Sequence, residues 1–152
     1  MSLERDILLL LHDVARMQRT RFDQWARRYG LTRAQGMILY RLSRQPGISQ
    51  NEMAAICEVE PITVGRLVDR LEACGMLERR FDPSDRRLRR LHLLPAAEPI
   101  LAAIEAYKNE LTDLLTGDFA PDKVEAMIDL LLHMKQTLIT EAAAEKSAAA
   151  GE

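Results

Sequence analysis

The sequence predicts a mainly α-helical chain interrupted by one small β-hairpin, and three observations predict it. The stretch from Gly47 to Leu94 reads as a short helix, a turn, a second helix and then an Arg-laden hairpin. After Gly75 the hydrophobic period changes from about 3.6 to 2. On either side of that stretch, apolar residues recur at spacings of three and four, over more length than one small lobe needs for its own core. The 152 residues fit one domain, or one binding lobe plus one oligomerisation lobe. Their 47% hydrophobic and 5% aromatic content suits a helix-rich protein. The order of parts is that of a winged helix-turn-helix with a helical dimerisation lobe.

Each element has its own signal. Residues 3–29 read as one long helix, with Leu3, Ile7, Leu8, Leu11, Val14, Ala15, Phe22 and Trp25 on helical spacings and Gly30 as its stop. Thr32 caps a second helix that Pro46-Gly47 ends. Ser49 caps a third, and Ser49 with Glu52 spells the S-x-x-E capping box. A fourth begins at Pro61 and stops at Gly75, proline just inside the start and glycine just past the end. Residues 76–81 are strand-like, Asp82-Pro83-Ser84-Asp85 is a strong turn, and Leu91 and Leu93 alternate with Arg90 and His92 as a half-buried return strand. A fifth helix is expected from Pro95 to about Gly117 and a sixth from Pro121, fading into an Ala-rich tail. The corresponding division is an N-terminal helix (1–30), a binding lobe (31–94), C-terminal helices (95–146) and a frayed tail (147–152).

The net charge of −2 conceals a strong asymmetry. Residues 1–90 carry 17 Arg and 12 acids, a net of +5, whereas residues 91–152 carry 4 Lys and 11 acids, a net of −7. Arginine is the better bidentate partner for phosphate and for guanine, so its confinement to the first part carries chemistry. A reading helix enters the major groove by its N-terminal end, which needs small or polar groups. Pro61, Ile62 and Thr63 occupy that end of the fourth helix, and Thr63, Arg66 and Arg70 share one face. Val64, Leu67, Val68 and Leu71 lie towards the other face. Gly65, costly inside a helix, marks a close approach of the backbone to DNA or to another helix. Taken singly, Arg66 and Arg70 read equally well as surface charges paired with Asp69 or Glu72. The hairpin changes the balance, because Arg86, Arg87, Arg89 and Arg90 place four cations within five positions, a tip suited to a narrow minor groove. Asp85 is expected to hold an arginine or to stabilise the turn. The candidate DNA-facing set is Ser49, Gln50, Pro61, Ile62, Thr63, Arg66, Arg70, Arg86, Arg87 and Arg89.

These residues resemble the MarR/SlyA transcriptional regulators. The resemblance is carried by TRAQGMILYRLSRQPGISQNEMAAICEVEPITVGRLVDRLEACGMLERR and by the wing signature DPSDRRLRRLHL, with Asp85 and Arg87 as its D-x-R and Leu91 and Leu93 as its return strand. It extends over nearly the whole chain, since the outer helices fit as well, and Ala97-Glu98-Pro99 is reminiscent of the SlyA branch. Leu94 departs from the pattern, which has Thr there as a helix cap; Pro95 compensates as a first helical residue. The resemblance implies a homodimer on a pseudo-palindromic double-stranded DNA operator, with the outer helices forming the dimer lobe. It implies Arg66 as a major-groove reader, Arg87 as the minor-groove residue of the wing tip, and repression as the mode of action.

The resemblance also implies a small aromatic acid as effector, held between the dimer lobe and the winged lobe. The residues in reach of such a site are His12, Arg16, Arg19, Trp25, Met37, Tyr40, Arg41 and Tyr107, an arginine clamping the carboxylate and aromatics with Met covering the ring. Each reads equally as a core, interface or surface residue, so a regulator without an effector, constitutive or architectural, stays open. Redox sensing is a lesser alternative, because Cys57 and Cys74 both lie outside the first helix, where peroxide sensors of this kind carry their cysteine. His12, His92 and His133 are scattered without ligand spacing, so no metal and no cofactor is expected. No phosphate loop, zinc-helix motif or nucleophile elbow points to an enzyme. The apolar run Ile7–Leu11 is too short for a membrane span or a secretory leader, and two distant cysteines suit a reducing cytoplasm.

Overall fold

A computed structural model describes residues 5–150. Six helices and one hairpin follow in chain order: α1 (Ile7–Arg27), α2 (Arg33–Arg44), α3 (Gln50–Cys57), α4 (Pro61–Ala73), β1 (Leu77–Phe81), β2 (Arg89–Leu93), α5 (Glu98–Thr116) and α6 (Pro121–Ala150). The chain forms two compact units, residues 1–106 and 107–152.

Local chemistry sets the boundaries. Helix α1 begins later than its apolar periodicity suggests, because Asp6 adopts an extended backbone and its carboxylate accepts from the N–H groups of Leu8 and Leu9. The expected start at Leu3 lies outside the described residues. Helices α2 and α3 both open with a reciprocal capping box, Thr32 with Gln35 and Ser49 with Glu52. Helix α3 ends on Glu58 in the left-handed region (φ 52°), a conformation that costs a non-glycine residue on the order of 1 kcal/mol. That single residue turns the chain sharply into α4, which starts with Pro61 at its first position. Gly75 (φ 70°) then releases the chain into β1. Leu94 caps nothing with its side chain, and Pro95–Ala97 forms a 3-10 turn before α5, so the fifth α-helix begins at Glu98 rather than at Pro95. Helix α6 continues through residues 147–150, which the sequence reading assigned to a tail; Gly151 and Glu152 lie outside the described residues.

The hairpin is antiparallel and in the register Leu77↔Leu93, Arg79↔Leu91 and Phe81↔Arg89. The linker between α2 and α3 joins it as a third member. Gly47 N–H donates to the Leu91 carbonyl (3.1 Å), Leu91 N–H donates to the Ile48 carbonyl (2.9 Å), and Ser49 bridges Arg90.

One hydrophobic core organises the first unit. Ile38, Leu39 and Leu42 from α2, Met53 and Ala54 from α3, Val64, Val68 and Leu71 from α4, and Leu77 and Leu91 from the hairpin are buried together. Ala26 of α1 and Ala97, Ile100 and Leu101 near the start of α5 pack into the same cluster. Gly36 permits close contact between α1 and α2, since a Cβ there would stand 3.1 Å from the Phe22 ring. In the second unit Leu111 is buried, while Leu114, Leu115, Phe119, Leu130, Leu132, Leu138 and Ile139 all stay more than half exposed. Among the described residues no helix is long and apolar enough to cross a membrane.

Leu71 is fully buried on the inner face of α4, so Leu71→Ala removes packing from the centre of the first unit. The expected loss is about 2–5 kcal/mol, read as a lower midpoint in urea with an unchanged slope.

Candidate nucleic-acid interface

The arginines of the helix-turn-helix and hairpin divide into two sets. Arg79, Arg80, Arg89 and Arg90 are tied. Arg79 is the most heavily engaged: its Nε donates to Gln50 Oε1 (3.0 Å), Nη1 to Glu72 Oε2 (2.6 Å), and Nη2 to both Asp69 Oδ1 (2.7 Å) and the Gly65 carbonyl (3.1 Å). Its side chain is only 16% exposed. Arg80 pairs with Glu78, and Arg89 lies over the Phe81 ring at 4.0 Å. Arg90 donates to Asp82 and to the Gly47 carbonyl (2.9 Å), pinning the second strand to the α2–α3 linker. Arg66, Arg70, Arg86 and Arg87 are exposed and, among the described residues, have no carboxylate partner.

This decides between readings that the sequence left open. Asp69 and Glu72 pair with Arg79 of β1, leaving Arg66 and Arg70 open. The aspartate that holds an arginine is Asp82, whereas Asp85 serves the turn by accepting from the Arg87 N–H (3.0 Å). Asp82 is the anchor of the hairpin loop. Its carboxylate also accepts from the Ser84 hydroxyl and from the N–H groups of Ser84 (2.7 Å) and Asp85 (3.0 Å). The Ser84 hydroxyl, then Arg90 and the backbone N–H groups, hold this carboxyl far below the usual carboxylate range. With the loop so fixed, Arg86 and Arg87 stand at its exposed tip.

On α4, Pro61, Ile62 and Thr63 are exposed at the N-terminal end, Ile62 at 67%. Ser49 is buried, and its hydroxyl is occupied as the acceptor from Glu52 N–H (3.1 Å), so it frames α3 rather than presenting a side chain. The reciprocal bonds from Ser49 keep the Glu52 carboxyl below its ordinary range. Gln50 is half-buried against Gly65, where a Cβ would stand 3.2 Å from its amide nitrogen. The glycine in α4 therefore marks the approach of another helix. Arg79 and Asp82 are the residues that sequence reading missed; the turn signal was visible, but not which acid reaches which arginine.

The effector candidates are more dispersed. His12, Arg16 and Arg19 are exposed on α1, and Arg16 lies 3.6 Å from Asp13. Trp25 stacks on Phe22 (5.4 Å between ring centroids) and meets Tyr29 (4.7 Å) while packing against the core. Met37 and Arg41 are exposed on α2, and Tyr40 lies beneath the Arg44 guanidinium (5.3 Å). Tyr107 belongs to the second unit. A groove of about 480 Å³ lies elsewhere, between the 45–48 turn, Glu52, Ile56 and Arg90. Burial pushes the Cys57 thiol up, more than nearby Arg41 pulls it down, which is the opposite of a reactive thiolate. Among the described residues no group of three or more His, Cys, Asp and Glu could hold a metal ion.

The Asp82 carboxylate is stabilised in the folded state, so its contribution is present above its unfolded pKa of about 3.9 and is lost as pH falls below that value. Asp82→Asn is expected to lower the melting temperature at pH 7, with the difference from the parent narrowing below about pH 4. A difference that persists unchanged at pH 3 would contradict this account.

The MarR family model matches residues 29–88, the span from the end of α1 to the wing loop. Among solved structures, MarR superposes with a TM-score of 0.80 at 29% identity, covering 94% of this chain and 97% of its own. SlyA gives 0.77 at 23%, covering 88% and 94%. An S. aureus MepR–DNA complex gives 0.76 at 23%, covering 90% and 99%. The winged lobe thus matches the MarR family model, and the helices around it follow the order and fold of the MarR structure.

Proposed function

We propose that the chain is a homodimeric, sequence-specific repressor that binds double-stranded DNA and is released by a small aromatic acid. The observation that carries DNA binding is the division of the arginines. Two pairs, Arg66 with Arg70 on α4 and Arg86 with Arg87 at the wing tip, are exposed and unpaired on one rigid lobe, while the neighbouring cations are consumed in holding that lobe together. In this reading Pro61, Ile62, Thr63, Arg66 and Arg70 enter the major groove, and Arg86 and Arg87 follow the phosphates into the minor groove, with Arg89, exposed although it lies over Phe81, beside the backbone at the base of the wing. Gln50 lies beside the reading helix, and Ser49 positions it. The MepR structure solved with DNA supports the same use of the fold.

Dimerisation is supported by the apolar side chains left exposed on α1, such as Ile7, Leu8 and Val14, and by those on α5 and α6. Apolar side chains exposed in such number on a helix mark an interface. Two lobes in one dimer place their reading helices about one helical turn, roughly 34 Å, apart on the operator. The effector reading uses His12, Arg16, Arg19, Trp25, Met37, Tyr40, Arg41 and Tyr107 as candidate contacts for an aromatic carboxylate, and the cytoplasm as the compartment.

Four measurements test this. Light scattering at micromolar concentration is expected to give the mass of a dimer; a monomeric mass sinks the proposed assembly. On the intergenic DNA flanking its own gene, Arg66→Ala is expected to cost about 1–3 kcal/mol and to flatten sequence preference, whereas an equal loss on all sequences removes its base-reading role. Arg87→Ala is expected to reduce the slope of log affinity against log salt by about one. For the effector, thermal shift across a panel of aromatic acids should show one that both stabilises the protein and releases DNA.

A further inference from the structure

We propose that Arg79 is a positioning residue for base readout, turning the Gln50 side-chain oxygen inward so that Gln50 offers DNA only its two N–H donors. The inference rests on the reading above, in which α3 and α4 face the major groove. An arginine has no acceptor, so the Nε–H that meets Gln50 at 3.0 Å must be met by the amide oxygen. The amide nitrogen is then directed over Gly65, 3.2 Å from where a Cβ would stand, a position open only because residue 65 has no side chain.

The guanidinium itself cannot turn. Nη1 is held by Glu72 (2.6 Å), Nη2 by Asp69 (2.7 Å) and by the Gly65 carbonyl (3.1 Å), and the Arg79 backbone N–H donates to Glu72 (3.2 Å). A free glutamine reads adenine through one donor and one acceptor. Here the amide oxygen is turned towards Arg79 within the protein and the N–H donors lead on the opposite side, so Gln50 selects base edges rich in acceptors, guanine N7 and O6 or thymine O4, over the paired pattern of adenine. Lysine at position 79 would supply a point charge for Asp69 and Glu72, but it lacks the planar fork that reaches Gln50 and Gly65 at once.

The test is selection from a random-sequence duplex pool by the parent protein, by Arg79→Lys and by Gln50→Glu, with melting temperatures measured in parallel. Gln50→Glu keeps an oxygen towards Arg79 and removes both donors. The expected result is that Arg79→Lys melts close to the parent yet loses about tenfold of its preference at one base pair per half-site, and that Gln50→Glu loses preference at that same pair. Retention of the parent motif by Arg79→Lys overturns the proposal, as does loss at a different pair in Gln50→Glu. If Arg79→Lys unfolds, Gln50→Glu decides: loss of preference for a guanine or thymine pair supports the proposal, and an unchanged motif overturns it. A parent protein that enriches no motif overturns the DNA-reading function along with it, an outcome distinct from a parent motif that the variants leave intact.

Discussion

The hairpin is tied to both α3 and α4 by the Arg79 guanidinium. Strand β1 leaves α4 through Cys74, Gly75 and Met76, whose N–H groups all donate to carbonyls of the last turns of α4. Arg79 adds a side-chain tie by folding back onto the face of α4 that carries Gly65, Asp69 and Glu72, and by reaching across to Gln50 at the start of α3. Asp69 and Glu72 are themselves exposed, so the planar fork of the guanidinium, more than its charge, makes this tie specific. The second strand is fixed by an independent device of the same kind, Arg90 between Asp82 and the Gly47 carbonyl. The α2–α3 linker, both strands and both helices of the helix-turn-helix are therefore tied by two arginines that never need to touch a ligand.

That arrangement explains how a chain with a net charge of −2 can carry a cationic reading surface. Counting charges treats all the arginines of the first part alike. The structure spends Arg79 and Arg90 on internal carboxylates and carbonyls, Arg80 on Glu78, and Arg89 on an aromatic face, and leaves Arg66, Arg70, Arg86 and Arg87 exposed. The acids among them are the means of this sorting. Asp69, Glu72 and Asp82 neutralise the structural cations, so the field at the surface comes from the open ones, where it acts on an approaching polyanion.

Much of this was legible in the sequence because it follows from local rules. Pro61 and Gly75 bracket α4, Ser49 and Glu52 spell the cap of α3, and the alternation of Leu91 and Leu93 with Arg90 and His92 announces a half-buried strand. Periodicity could not reveal that Asp6 stops α1 from starting earlier, since a capping aspartate and a helical one have the same neighbours. It could not show that Pro95 opens a 3-10 turn, because proline suits the first position of either helix type. Least legible was the pairing of Arg79 with Asp69 and Glu72, seven to ten positions apart and across a turn. On a single helix the i, i+3 rule offers Asp69 to Arg66, and only the return of β1 over α4 gives it a better partner.

The same core that shapes the reading lobe also bears on how the protein could respond to a signal. Ala26 near the end of α1 and Ala97 before α5 are fully buried in it, and Trp25, Ile100 and Leu101 pack against it. Arg44 of α2 reaches Glu105 of α5 at 3.2 Å. Helix α1 and the first turns of α5 are thus anchored in the lobe itself. Close-packed interiors move between discrete arrangements instead of deforming smoothly. A shift of α1 or α5 must then be absorbed by α2, which contributes Ile38, Leu39 and Leu42 to the core and continues into the linker that Arg90 pins to the wing. Any effector that binds one position of the outer helices more tightly than another acts through these contacts, and its influence on the wing is bounded by that difference in affinity.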